Sequence, residues 1–273
     1  MSAVKQDDKR KVTVHRLKEM KDRGEKITML TSYDYTMASI VDGAGIDAIL
    51  VGDSASNVMC GNQTTLPISL DQMIYHGKAV AHATKRALVV VDMPFGYCVG
   101  NPLQSLDAAV RIMKETGADA LKIEGGEELA PDIKKIIDAG IPVIGHLGLM
   151  PQSINKYGTY TVRAQENAEA EKLKRDALLL QEIGCSAIVL EKIPAALATE
   201  VTQSLRIPTI GIGAGSGTDG QVLVIHDMLG MNQGFSPRFL RRYANLHAVM
   251  TEAITQYITD VKEVTFPNKE EEY

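Results

Sequence analysis

The chain has 273 residues, 45% of them hydrophobic and 23% charged, with a formal net charge of -5. That length suits one large α/β barrel, typically about 250 residues, and does not require a second domain. An acidic balance with no basic run argues against nucleic acid and anionic membrane surfaces as partners, and no apolar stretch approaches the roughly 20 residues that span a bilayer.

In chain order, residues 1–11 are polar and lack the apolar core of a secretory signal, so a flexible start is expected. Val12 to Arg23 reads as an extra N-terminal helix stopped by Gly24, placed to plug the barrel bottom. Short apolar runs follow at Ile27–Asp34, Asp47–Ser54, Ala87–Phe95, Ala118–Gly125, Pro142–Leu149, Cys185–Ile193, Ile207–Gly215 and Gln221–Met228. Each is almost continuously apolar and bounded by Gly or Pro, the signature of a strand buried on both faces of a parallel sheet. Eight such runs alternating with helical segments predict a closed (β/α)8 TIM barrel.

Between the runs, Leu70, Met73, Ile74, Gly77 and Ala81 share a helix face behind a Ser69/Gln72 capping box. A second helix starts at Asn101-Pro102, with Leu106, Ala109, Val110 and Met113 inward, and a third carries Ala170, Leu173, Ala177 and Leu180. Residues 150–165 are polar and long for a barrel connection, as a lid would be. Ser216 to Gly220 is too short for a crossover helix. No linker interrupts residues 1–273, so one barrel domain is expected, with 265–273 a frayed acidic end. Cys60, Cys98 and Cys185 are odd in number and form no CxxC, which fits a reduced cytoplasm.

Side chains alternate along a strand, so Lys122 and Glu124 share one side while Leu121 and Ile123 share the other. With the apolar pair against the helices, the charges line the barrel interior near its C-terminal mouth, where barrel active sites lie. Asp53 and Ser54, Asp92, His146 and Glu191 end neighbouring runs and belong to the same mouth, with Tyr33 and Asp34 ending the first. Buried ionisable groups are costly unless paired or bound to an ion. Asp53, Asp92 and Glu124, from consecutive strands around one Lys, suit a hard divalent cation such as Mg²⁺. The plainer reading makes these acids helix N-caps, but capping does not call for a buried Lys122.

His146 reads as a donor to bound substrate or as a satisfied interior histidine, and His226 leaves both readings open. His76 and His82 read as structural or surface residues. Glu191, in an apolar run, is the candidate acid–base group, the alternative being a salt bridge to Lys192. Gly215, Gly217 and Gly220 match GxGxxG, yet the following segment reads as a strand where a dinucleotide site needs a helix. The glycines then give backbone room or a tight turn, with a phosphate nest as the other option.

Several blocks are long enough to carry a resemblance. "ILVGDS" (Ile49–Ser54), "TTLPISLDQMIYHGKAV" (Thr64–Val80), "VVVDMPFGY" (Val89–Tyr97), "ALKIEGG" (Ala120–Gly126), "GHLGLMPQS" (Gly145–Ser153), "VLEKIP" (Val189–Pro194) and "IPTIGIGAGSGTDGQVLVIHDMLGM" (Ile207–Met231) closely resemble the ketopantoate hydroxymethyltransferase family. The resemblance implies a barrel of the phosphoenolpyruvate/pyruvate type. It also implies transfer of a hydroxymethyl group from 5,10-methylenetetrahydrofolate to 3-methyl-2-oxobutanoate, giving ketopantoate for pantothenate and coenzyme A synthesis. By the same resemblance Asp53, Asp92 and Glu124 hold Mg²⁺, Asp53, Ser54, Asp92 and Lys122 hold the 2-oxo acid, and Glu191 accepts the proton. It further implies a homodecamer. The chain departs from the family at Ala55, Ser56 and Asn57, where many members have Leu-Gly-Met, and at Gly77, where a larger residue is common. The rival reading is a lyase or mutase of the same fold acting on a pyruvate-like substrate without folate. A non-catalytic anion-binding scaffold leaves the interior charges unexplained.

Overall fold

The computed structural model describes residues 10–234 and 236–273, so the expected flexibility of residues 1–9 lies outside the described residues. The chain divides into two compact units, Met1–Val224 and Ile225–Tyr273.

In the first unit eight parallel strands close a barrel in sequence order. They are β1 (Ile27–Thr31), β2 (Ala48–Val51), β3 (Leu88–Asp92), β4 (Ala120–Glu124), β5 (Val143–Gly148), β6 (Ala187–Glu191), β7 (Thr209–Ile212) and β8 (Gly220–Leu223). β2, β3 and β4 are buried at every position, as strands covered on both faces must be. Helix α1 (Val14–Asp22) precedes β1, α2 (Tyr35–Gly43) follows it, and α3 (Ala55–Val58) and α4 (Leu70–Ala83) follow β2. α5 (Pro102–Thr116) follows β3, α6 (Ala130–Asp138) follows β4, α7 (Ile154–Tyr157) and α8 (Asn167–Glu182) follow β5, and α9 (Ala195–Ser204) follows β6.

α1 is the expected plug. Val12, Leu17 and Met20 are buried in one cluster with Ile27, Met29, Ala48, Leu88, Ala120 and Ile210 from the strands. Lys11 is also fixed, 2.8 Å from the Ala87 carbonyl and 2.7 Å from Asp119 Oδ2. The Ser69/Gln72 capping box opens α4, and Asn101 with Pro102 opens α5, as the sequence predicts. Gly77 has a packing reason: a Cβ there would stand 2.8 Å from Thr116 Cγ2 and 3.2 Å from Val91 Cγ2, so its absence lets α4 approach α5 and β3.

Two expectations are corrected. The inward face of α5 is Ser105, Ala108, Ala109, Ile112 and Thr116, while Val110 is exposed. The face is turned because Ser105 reaches inward to Asp132 Oδ1, 2.6 Å away. The eighth run is no single strand: it ends at Leu223, and α10 (Ile225–Met228), carrying His226, belongs to the second unit. Between β7 and β8 the chain has no helix; Gly215 and Gly217 lie so close to Ala195 and Thr199 of α9 that a Cβ would come within 2.5 and 2.0 Å. Backbone room is thus the role this structure gives that glycine segment.

The second unit holds α10 and α11 (Leu246–Lys262), and residues 265–273 are exposed turns. Val249, Met250, Ile254 and Ile258 of α11 are exposed.

Candidate active site at the barrel mouth

Ladder register builds the site. Asp92 pairs with Lys122 across β3 and β4, and Glu124 pairs with His146 across β4 and β5. The same alternation that sends Leu121 and Ile123 outward turns Lys122 and Glu124 into the barrel. All four side chains are buried, and Asp53, just past the end of β2, is buried beside them. Lys122 Nζ stands 3.2 Å from Asp92 Oδ1 and 3.9 Å from Glu124 Oε1. The Asp53 backbone N–H donates to Asp92 Oδ2 at 2.9 Å.

His146 Nδ1 lies 3.3 Å from Glu124 Oε1 and 3.1 Å from Lys122 Nζ, and its Nε2 lies 3.3 Å from Glu191 Oε2. It therefore stands between the carboxylate cluster and Glu191, its Nε2 facing Glu191 without a full hydrogen bond. Glu191 is less desolvated than its apolar run suggests, with 18% of its side chain exposed. Its expected rival partner, Lys192, instead donates to the Tyr160 carbonyl. Ser54 shares a 2.8 Å hydrogen bond with the buried Tyr33 hydroxyl, which sets its Oγ at the mouth. His76 is a satisfied core residue, its Nδ1 2.7 Å from the Tyr33 carbonyl, and His82 is exposed.

The charges do not balance. Three buried carboxylates face Lys122 and a protonated His146, so all three ionise together only with one negative charge in excess. Burial, with Asp92 and Glu124 adding repulsion, pushes the Asp53 carboxyl up to about 8. Asp92 is raised by burial as well, in spite of Lys122. Burial works against the charges of Glu124, Lys122 and His146 too, but their neighbours prevail. Glu124 is lowered by His146 and Lys122, Lys122 is raised by Asp92, Glu124 and Asp53, and His146 is raised to about 9 by Glu124 and Glu191. Asp92 Oδ1 and Glu124 Oε1 are buried without a hydrogen-bond partner. Three hard carboxylates buried together, Asp92 and Glu124 held only by ion pairs at these inner oxygens, are what a divalent cation would relieve, so the residues fit one. Among the described residues no three His, Cys, Asp or Glu side chains already converge as a ligand set; Lys122 stands between Asp92 and Glu124.

Sequence reasoning missed Gln152. It sits in the 3-10 turn Pro151–Ser153, inside the segment expected to be a lid. Its backbone N–H donates to Glu124 Oε2 at 2.9 Å, and its side-chain Nε2 donates to Asp53 Oδ2 at 2.8 Å and to the Met93 carbonyl at 2.9 Å. Only its place in the "GHLGLMPQS" block could have pointed to it. A cavity of about 320 Å³ lies beside Glu124, with Leu147, Met150, Tyr157 and Leu173 among its walls.

Eight parallel strands closed into a barrel, with acids, a lysine and a histidine buried at its mouth, define a TIM barrel with a candidate active site where barrel enzymes carry theirs. Solved structures share that fold. 2,3-Dimethylmalate lyase, a PEP mutase/isocitrate lyase superfamily member, superposes with a TM-score of 0.63 at 18% identity, over 95% of this chain and 91% of that one. Phosphonopyruvate hydrolase in complex with oxalate and Mg²⁺ gives 0.61 at 14%, over 95% and 93%. The family model for ketopantoate hydroxymethyltransferase matches residues 11–269, and the chain belongs to that family. A 3-methyl-2-oxobutanoate hydroxymethyltransferase of Bacteroides fragilis is 71% identical over 273 residues, 100% of both chains. Those of Porphyromonas gingivalis and Christiangramia forsetii are 67% and 64% identical over the same full lengths.

Proposed function

We propose that the enzyme transfers a hydroxymethyl group from 5,10-methylenetetrahydrofolate to 3-methyl-2-oxobutanoate, forming ketopantoate for pantothenate and coenzyme A synthesis. The observation that carries this reading is the charge-unbalanced trio Asp53, Asp92 and Glu124 around Lys122, in a chain of this family. Asp53, Asp92 and Glu124 would hold a divalent cation such as Mg²⁺, which supplies Lewis acidity toward the keto and carboxylate oxygens of the 2-oxo acid.

Lys122 neutralises the substrate carboxylate, and Ser54, held by Tyr33, hydrogen-bonds to the substrate beside Asp53 and Asp92. Glu191 Oε2, beside His146, takes the proton from C3, and the electron pair left there forms the bond to the folate-borne methylene carbon as one of that carbon's two bonds to nitrogen breaks and the freed nitrogen takes up a proton. Water hydrolyses the adduct, supplying the new hydroxyl and releasing tetrahydrofolate. Binding both substrates at one mouth would orient them before reaction. Gln152 brings the turn Pro151–Ser153 against Asp53 and Glu124, where it would limit the access of water. Family resemblance extends the proposal to a homodecamer in the cytoplasm, and the exposed apolar residues of α11 are of the kind that subunit contacts cover.

The test is an assay with 3-methyl-2-oxobutanoate, with and without the folate and with Mg²⁺ or EDTA. Ketopantoate should form only with folate and metal together. Turnover of the 2-oxo acid without folate would favour the lyase or mutase reading, and EDTA-resistant activity would remove the cation.

A further inference from the structure

Each carboxylate of the mouth accepts one hydrogen bond on one oxygen. Asp92 Oδ2 accepts from the Asp53 N–H, Asp53 Oδ2 from Gln152 Nε2, and Glu124 Oε2 from the Gln152 N–H. The other oxygens of Asp92 and Glu124 are buried and meet only the charged groups, Lys122 Nζ at 3.2 Å from Asp92 Oδ1 and His146 Nδ1 at 3.3 Å from Glu124 Oε1. Two of the three bonds thus come from one residue that belongs to no strand. The orientation of its amide is forced, because Asp53 Oδ2 and the Met93 carbonyl both accept, and only the NH₂ end can serve them.

We infer that Gln152 is a positioning residue for the cation. It fixes one oxygen of Asp53 and one of Glu124, leaving the second oxygen of each for the cation, and it couples the seating of the β5–α8 segment to occupancy of the cation site. The inference rests on the carboxylate cluster being a cation site. A carboxylate bound at one oxygen loses its freedom to rotate, and a hard cation rewards oxygens already set. Coupling runs both ways: if the seated segment improves cation binding, the cation must favour the seated segment to the same degree.

Gln152 is not what holds the segment together. Leu149 N–H donates to the Glu191 carbonyl at 2.9 Å, Arg163 N–H to the Lys192 carbonyl at 2.9 Å, and Ile154 is buried. Beyond Lys192, Arg163 lies 4.1 Å over the Tyr157 ring and pairs with Glu169 at the start of α8. Loss of the side-chain amide should therefore loosen the central contact without unfolding the connection.

Gln152→Met keeps the length and the backbone N–H and removes only the amide donor. With the full chain, Mg²⁺ binding is measured by calorimetry, Mn²⁺ binding by electron paramagnetic resonance, and loop seating by the rate of tryptic cleavage after the exposed Lys156. The expected result is metal binding weakened about 10- to 100-fold, with the metal-free protein still folded and its melting temperature lowered only modestly. Mg²⁺ should slow cleavage after Lys156 in the wild type and do so far less in the variant. Equal metal affinity in the two proteins, or faster cleavage of the wild type in Mg²⁺, would overturn the inference. Absence of metal binding by the wild type would overturn the cation site itself, a failure separable from the first. Should Gln152→Met not fold, Gln152→Asn, whose amide is one methylene short of both acceptors, carries the same expectation and the same refutation.

Discussion

Along β3 the interior side chains run Leu88, Val90, Asp92, and along β4 they run Ala120, Lys122, Glu124. The lower positions of each strand join the apolar cluster sealed by α1, and the upper ones join the charged mouth. Two neighbouring strands therefore change from oil to salt within one interior step. At the bottom each group gains by burial, at roughly 25 cal/mol per Å² of apolar surface. At the mouth burial is a penalty, visible in the raised Asp53 and Asp92 carboxyls. The contrast separates the two jobs of a barrel interior: the bottom stabilises the fold, and the mouth spends stability on chemistry.

That comparison can be broken by substitution. Glu191→Gln removes the proposed base and leaves the fold's apolar end alone. Turnover should fall by about 10²- to 10⁴-fold, and exchange of the C3 proton with deuterated solvent, followed by NMR, should vanish while 2-oxo acid binding persists. Exchange at the wild-type rate would take Glu191 out of the reaction. At the other end, Leu17→Ala leaves a hole between α1 and the strands. It should lower stability by about 2–5 kcal/mol in urea unfolding without changing the KM for the 2-oxo acid.

A subtler prediction concerns pH in the absence of divalent cations. Asp53 holds its proton in the fold up to about pH 8, against 3.8 for a free side chain, and His146 holds its own to about 9, against 6.5. The folded state then binds more protons than the unfolded one over that range, so stability falls as pH rises. The melting temperature in EDTA should decline between pH 6 and 9, Mg²⁺ should restore it most at the alkaline end, and Asp53→Asn should flatten the decline. A melting temperature that rises over this interval would contradict the charge excess.

Much of this was legible in the sequence, for identifiable reasons. Strands buried on both faces announce themselves as apolar runs, and the parity of Lys122 and Glu124 within one run settles where their charges point. Caps at Ser69 and Asn101 are local chemistry and read directly. What failed to read was set by contacts distant in sequence. The inward face of α5 is turned by Asp132 from the next helix, and Gln152 reaches Asp53 from 99 residues away. The alternative partner for Glu191, Lys192, is carried away by a backbone turn at a positive φ of 48°, and its ammonium goes to the Tyr160 carbonyl. No periodicity in the chain encodes those partners.

The account stands on the three mouth carboxylates being unable to ionise together without a further positive charge. Calorimetric titration of the metal-free protein with Mg²⁺ near pH 7.5, repeated in buffers of different ionisation enthalpy, measures both binding and the protons displaced. One cation per chain should bind and release protons, because Asp53, held protonated up to about pH 8, must ionise to ligate. No binding, or binding whose heat is the same in every buffer, would contradict it.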